Sequence, residues 1–229
     1  MAKGGVMDVV YPYKRTPDDF ELRYSLRSLV NVPHDRVIVA GDAPDITSDA
    51  VTVFKVPRVG ADRYMSSTAN IFAADVSGDF IVMNDDFFVL EPWTFRHEYK
   101  WTLDEALFNS ETQGEYRSRI ASTRALLKSH GVTNPLFYGL HTPTVYNRDK
   151  LNEMLREFPM PRYRYLMRTL YHNLFPSPSI RRDDCKVKAW NGDWSGDVLS
   201  ISDGVARSPE FREWIDRRFP VASKYEVVA

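Results

Sequence analysis

The chain has 229 residues, a formal net charge of -1, 43% hydrophobic and 27% charged residues. This is the balance of a larger globular domain, and it exerts no overall pull toward nucleic acid or membrane, so any basic surface has to be local. The single cysteine, Cys185, excludes an internal disulfide and a cysteine-built zinc site.

Val6 to Tyr11 is a nearly continuous apolar run, which predicts a strand covered on both faces. Thr16-Pro17-Asp18-Asp19 offers a cap, a proline at the first helical position and acids in the first turn of a helix carrying Phe20, Leu22, Tyr24, Leu26, Leu29 and Val30. Arg36 to Ala40 reads as a second strand closed by Gly41-Asp42, Val51 to Val56 as a third, and Thr68 to Val76 as a helix. Gly78-Asp79 turns the chain into a fourth strand, Phe80 to Met83. Strands alternating with helices predict a largely parallel α/β sheet. The second half is less regular: helices are expected over Glu115 to His130, closed by Gly131, over Asn147 to Phe158, and from Ser208-Pro209 to Arg218. A short strand is expected near Leu136 to Leu140, with short helix and loop from Pro159 to Lys188. Neither a repeat nor a linker interrupts the chain, so one domain is expected. No apolar run reaches the ~18 residues of a membrane helix, and MAKGGVMDVVYPY lacks a long apolar stretch of the secretory kind. A soluble, cytoplasmic protein with no membrane partner is the expectation.

Asn84-Asp85-Asp86 stands between two apolar runs, FIVM and FFVL, where unpaired carboxylates are costly. One explanation is a turn cap. The other is a ligand site, because ligands of open α/β sheets sit outside the carboxyl ends of the strands. Tyr11, Tyr13, Lys14 and Arg15 end the first strand and Asp42 the second. Rings, cations and acids at one sheet edge suit a nucleotide diphosphate with Mg²⁺ or Mn²⁺.

An acidic DxD-like signature after a strand resembles the GT-A glycosyltransferases, which use nucleotide-sugar donors. The stretches MDVVYPY, ELRYSLRSL, YMSSTANIFAADVSGDFIVMNDDFFVLEPW, GLHTPTVYNRDKL and LFPSPS also resemble, in order, the blocks of the Stealth family of sugar-phosphate transferases. The first block ends Tyr13-Lys14-Arg15 where that family usually has Trp-Val-Asp-Gly, and so lacks a carboxylate. The chain is also similar in size to small phage-encoded glycosyltransferases.

The resemblance implies a single GT-A-like, Rossmann-like domain, with helices flanking a mostly parallel sheet. Residues 1–100 would bind the nucleotide sugar and residues 101–229 the acceptor. It implies Asp86 as metal-binding acid, His141 as functional or metal-completing histidine, and Asn84 in the place of the first DxD acid. Asp85 joins them as a catalytic candidate, and a nucleotide sugar, UDP-linked by preference, is the implied co-substrate. Lys14, Arg15, Arg23 and Arg63 are candidate phosphate partners, with Asn70 in the block after Arg63; Arg23 equally suits a helix pair with Asp19. His141 equally suits a structural role. A catalytic base is sought among Asp193, Asp197 and Asp203 in NGDWSGDVLSISD, a stretch that also reads as a surface loop.

Pro161 to Lys188 holds seven Arg or Lys against two Asp, with tyrosines interleaved. Arg162, Tyr163, Arg164, Tyr165, Arg168, Arg181 and Arg182 would form a nucleic-acid patch of cations for phosphates and rings for bases. The similarity to phage enzymes then implies a 5-hydroxymethylated pyrimidine in DNA as acceptor, with protein or glycan hydroxyls as alternatives. A helix with a solvated basic face and buried rings accounts for the same pattern. A Stealth-type sugar-1-phosphate transferase and a non-catalytic binding protein are the rival functions.

Overall fold

Val9, Val10 and Tyr11 are wholly buried, and a strand can bury both faces only with neighbours on both edges and cover above and below. The computed structural model describes residues 6–58, 63–109, 113–159 and 164–227; Arg162, Tyr163 and the side chain of Arg63 lie outside the described residues. In chain order, β1 (Met7–Tyr13) is followed by α1 (Phe20–Ser28), β2 (His34–Gly41), β3 (Val51–Lys55), α2 (Arg63–Ala73), β4 (Asp79–Val82) and β5 (Phe87–Val89). Next come β6 (His97–Tyr99), β7 (Trp101–Thr102), α3 (Leu103–Phe108), α4 (Gly114–Ser129) and β8 (Leu136–Phe137). β9 (Thr144–Asn147) leads to α5 (Arg148–Glu157), α6 (Met167–Leu174) and β10 (Ser179–Arg181). The remaining elements are β11 (Lys186–Val187), β12 (Val198–Ile201), α7 (Asp203–Ala206) and α8 (Pro209–Arg218).

The contacts gather into two compact units. The first draws on the chain up to Phe95, on His141–Tyr146, and on the chain from Cys185 onward. Its main sheet has the order β3-β2-β1-β4-β9. β1 runs parallel to β2 on one edge and to β4 on the other, and β2 runs parallel to β3. The architecture is therefore α/β with a mostly parallel five-stranded sheet. A smaller sheet, β11-β12-β5, completes the unit.

β5 explains why FFVL is apolar at every position. Phe87 and Val89 enter one core cluster with Val9, Tyr11, Leu22, Leu26 and Ile81. Phe88 and Leu90 enter a second cluster with Phe20, Tyr24, Leu199, Ile201 and Phe211. Successive strand residues point to opposite faces, and both faces of β5 are covered. α1 is divided in the same way, Leu22 and Leu26 packing in the first cluster and Phe20 and Tyr24 in the second.

α1 begins later than Thr16-Pro17 suggests. Asp19 precedes it with φ 47° and makes no side-chain cap. Its carboxylate instead accepts from the Tyr13 hydroxyl and, at 2.9 Å, from the Asp45 backbone N–H. Tying two loops together outweighs capping the helix. Arg23 does not pair with Asp19 through its side chain; it reaches Glu226 at 3.3 Å.

The second unit comprises Arg96–Leu140 and Asn147–Asp184. α4 ends as its glycine predicts: Gly131 takes φ +83°, and the Val132 N–H returns to the Leu127 carbonyl at 3.0 Å. α3 escaped the pattern reading because it is short, yet Thr102 and Glu105 form a reciprocal capping box at its start. No described helix is long and apolar enough to cross a membrane.

Candidate active site

The order β3-β2-β1-β4-β9 places β1 at a reversal. From β1 the chain steps outward to β2 and β3, then returns to the other side of β1 for β4. The carboxyl ends of β1 and β4 flank the crevice where open α/β sheets bind ligands. Val10 pairs with Val82, and the Met83 N–H donates to the Val10 carbonyl at 3.0 Å. Asn84-Asp85-Asp86 follows at once and forms a turn, closed by a 3.2 Å bond from the Phe87 N–H to the Asn84 carbonyl. The two aspartates therefore sit at the switch point of the sheet.

Three other segments bring charge to that turn. Glu21 comes from the first turn of α1, Lys186 from β11, and Asp203 from the start of α7. Asp86 accepts hydrogen bonds from the Lys186 ammonium and, at 2.9 Å, from the Ser200 hydroxyl. Its backbone carbonyl accepts from the Ile201 N–H at 3.3 Å, so Asp86 also anchors β12. Burial, then the neighbouring Asp86 and Glu21 charges, push the Asp85 carboxyl up to about 8. Burial, then Asp86 and Asp203, push Glu21 up to about 7, with Lys186 partly opposing. Four carboxyls face one ammonium, so full ionisation would leave four minus one, three net negative charges. The cluster relieves that excess by retaining protons near neutral pH.

Other predicted residues are distributed unevenly. His141 reaches the neighbourhood of the turn: its ring packs edge-on to Phe87 at 6.4 Å, and Cys185 Sγ donates to its carbonyl at 2.8 Å. Tyr11 is a core residue, its hydroxyl 3.1 Å from Ser25 Oγ, and Tyr13 is buried against Asp19. Neither ring offers a stacking face to a base, which corrects the expectation drawn from YPY. Burial holds both phenols above their ordinary range.

Asn70 is buried and donates to the Tyr13 carbonyl at 3.5 Å. Gly41 makes room for that contact, because a Cβ there would lie 2.1 Å from the Tyr13 oxygen and 2.5 Å from Asn70 Nδ2. Lys14 and Arg15 remain exposed beyond the end of β1. The Arg15 backbone N–H donates to Asp42 at 3.0 Å, and Arg58 reaches the same carboxylate at 3.1 Å. The bond from Arg15, outweighing partial burial and joined by Arg58, holds Asp42 below the usual carboxylate range.

Asp193 and Asp197 do not join the turn. β12 runs antiparallel to β5, Ser200 opposite Phe87 and Val198 opposite Val89. Asp197 accordingly lies beside Leu90, whose N–H donates to its carbonyl at 2.8 Å, at the far end of the pair from Asp86. Asp193 accepts from the Trp194 backbone N–H at 2.7 Å. Of the three acids in that stretch, Asp203 is the one whose charge reaches the cluster.

In the second unit one of the two rings expected in the basic patch, Tyr165, is a core residue. Its hydroxyl donates to the Phe158 carbonyl. Arg168 donates to the Leu140 carbonyl at 2.8 Å, and Arg182 pairs with buried Glu98 at 3.0 Å. Arg164 and Arg181 are exposed beside Glu115 at 3.8 Å and Glu105 at 3.7 Å. Tyr165 and Arg168 thus serve the second unit's own packing, while Arg164 and Arg181 keep exposed guanidinium groups.

Among the described residues, no group of three or more His, Cys, Asp or Glu is arranged to hold a metal ion by itself. Asp86 is already engaged by Lys186 and Ser200. The donor set therefore suits an ion that arrives with its own oxygen ligands, as Mg²⁺ does when one or two carboxylates share it with substrate phosphates. It does not suit a resident all-protein metal centre.

No protein-family model matches this chain. Nor does any curated protein. Glu21, Lys186 and Ser200 were missed in the sequence because each belongs to an element remote from NDD. Only Glu21 carried a signal, as an acid at the head of ELRYSLRSL.

Proposed function

We propose that the protein is a glycosyltransferase of GT-A-like build, moving a sugar from a nucleotide diphosphate to an acceptor hydroxyl. The observation that carries this is the Asp85-Asp86 turn at the carboxyl end of β4, beside β1, with Glu21 and Asp203 crowding it. The resemblance of the acidic signature after a strand to GT-A enzymes supports the same reading, and the lack of a carboxylate in the first Stealth-like block speaks against sugar-phosphate transfer.

In the proposed reaction the bond from the sugar's anomeric carbon to the diphosphate breaks, and a bond to the acceptor oxygen forms. The acceptor's proton passes to Glu21, whose carboxyl at about 7 is matched to neutral pH. Lys186 holds Asp86 in place and offsets part of the cluster's charge. Lys14 and Arg15, exposed past the end of β1, would supply cations to the diphosphate, Arg15 by exchanging its pairing with Asp45. A Mg²⁺ or Mn²⁺ ion carried in on the diphosphate, with Asp85 and Asp86 as its protein ligands, would supply Lewis-acid stabilisation of the leaving group.

The acceptor is a hydroxyl of a 5-hydroxymethylated pyrimidine in DNA, of a glycan or of a protein; burial of Tyr165 and Tyr171 takes those two rings out of any base-stacking surface. The Lys186–Asp86 pair favours one second reading, in which the ammonium takes the place of a divalent ion beside Asp86 and none is needed.

The test is product analysis of the intact protein with a panel of nucleotide sugars, with Mn²⁺ or with EDTA, and glycan, protein and hydroxymethylated DNA acceptors. Nucleoside diphosphate release that EDTA abolishes is the expected result. Release that survives EDTA selects the second reading. Monophosphate release would replace the proposal with sugar-phosphate transfer, and no nucleotide product from any donor would overturn it.

A further inference from the structure

At the end of the β5–β12 pair remote from Asp86, a cavity of about 290 Å³ opens in the first unit. Leu90, Glu91, Asp193, Trp194, Trp214 and Arg217 are among the residues lining it. We infer that this cavity binds a neutral saccharide, at a site separate from the carboxylate turn.

Both indoles are held in place before any ligand arrives. Trp194 Nε1 donates to the Val198 carbonyl at 3.1 Å. Gly196 lets the loop fold closely over that ring, since a Cβ there would come within 2.7 Å of the indole nitrogen. Trp214 is stacked on Phe211 at 6.0 Å and 28° and is backed by Trp190 at 4.9 Å. Half-buried rings held in place along a cavity wall are suited to the apolar C–H face of a pyranose, and they lose little entropy on binding it.

The polar lining is balanced in sign. Glu91 and Asp193 offset Arg217 and Arg218, two against two, and Arg218 bonds Glu91 at 2.6 Å. Such a cavity has no net charge with which to attract a phosphate, and it presents donors and acceptors side by side, as vicinal hydroxyls require. Its volume lies at the lower end of the range for small-molecule sites, about 300–1,000 Å³, which suits one or two sugar rings.

The test is a titration followed through the indole N–H resonances of the protein's five tryptophans. The probes are the methyl pyranosides of glucose, galactose, mannose, rhamnose and N-acetylglucosamine, with uridine monophosphate as the charged comparison. Saturable shifts confined to Trp194 and Trp214 are expected with at least one saccharide, at a Kd of about 1 mM. Trp194→Ala should weaken binding about tenfold. Arg217→Ala, which removes an exposed side chain paired with Glu213 along its own helix, should weaken it severalfold without endangering the fold. Asp86→Ala should leave it unchanged, so failure of the transferase proposal would not touch this site. Absence of saturable shifts with every saccharide, tighter binding of uridine monophosphate, or full binding by both cavity variants would overturn the inference.

Discussion

Replacing Asp85 with Asn removes a carboxyl that keeps its proton at neutral pH while preserving its shape. In the folded protein this group rises from 3.8 to about 8, first through burial and then through the charges of Asp86 and Glu21. An acid raised on folding stabilises nothing at high pH. Between the unfolded and folded values the unfolded chain gives up a proton that the folded chain retains, so stability falls as pH rises from about 4 to about 8. At about 1.4 kcal/mol for each tenfold change in proton affinity, the full penalty above pH 8 would be between about 5 and 6 kcal/mol. Glu21 shares the same crowding, and relaxation of one acid relieves the other, so about 3 kcal/mol is the expected gain for Asp85→Asn. At roughly 2–4 °C per kcal/mol for a chain of this size, Tm at pH 9 should rise by about 6–12 °C over the natural protein. At pH 4 the two should melt together. The assay is thermal unfolding followed by circular dichroism from pH 4 to pH 9. Parallel Tm profiles for the two proteins across that span would refute the crowded-carboxyl explanation.

Four further substitutions test other parts of the structure. Gly41→Ala places a Cβ against the Tyr13 carbonyl at a residue with φ +130°, and should cost about 3 kcal/mol in urea unfolding. Glu226→Gln weakens the buried acceptor of Arg27 and Arg23 and should cost about 3 kcal/mol at pH 7. Burial pushes Glu226 up, but hydrogen bonds from Arg27 and Ser223 outweigh it and hold the group below its ordinary value. Its contribution is therefore present above about pH 4.5 and lost on acidification, so the difference between variant and natural protein should shrink toward pH 3. Asp203→Asn removes a charge that raises Glu21, so the acid limb of the pH–rate profile should move to lower pH, while Asp193→Asn should leave the profile in place.

How much was legible in the sequence depended on whether a signal was local. β1 to β4 were readable because each is a short apolar run bounded by turn residues; helices precede β2 and β4, as parallel pairing with β1 requires, whereas β2 and β3 pair parallel with no helix between them. The start of α1 was misread because Asp19 looks like an ordinary first-turn acid, and its bonds to Tyr13 and Asp45 are visible only in three dimensions. β12 lay hidden in a stretch with two glycines and three aspartates because VLSI is only four residues long. The acidic turn stood out for a physical reason, two carboxylates between apolar runs. Its partners Lys186 and Ser200 lie 100 and 114 residues further along, and no local pattern could assign them. The basic stretch was ambiguous for the opposite reason. Interleaved rings and cations look alike whether the rings face solvent or core, and Tyr165 faces the core.

Calorimetric titration of UDP in the presence of Mn²⁺, into the natural protein and into Asp86→Ala, asks most directly whether the turn after β4 receives a nucleotide diphosphate. Saturable binding to the natural protein, weakened at least about tenfold in a folded Asp86→Ala variant, is the predicted result. Equal affinity for both proteins would contradict the role given to Asp86 and place the nucleotide elsewhere.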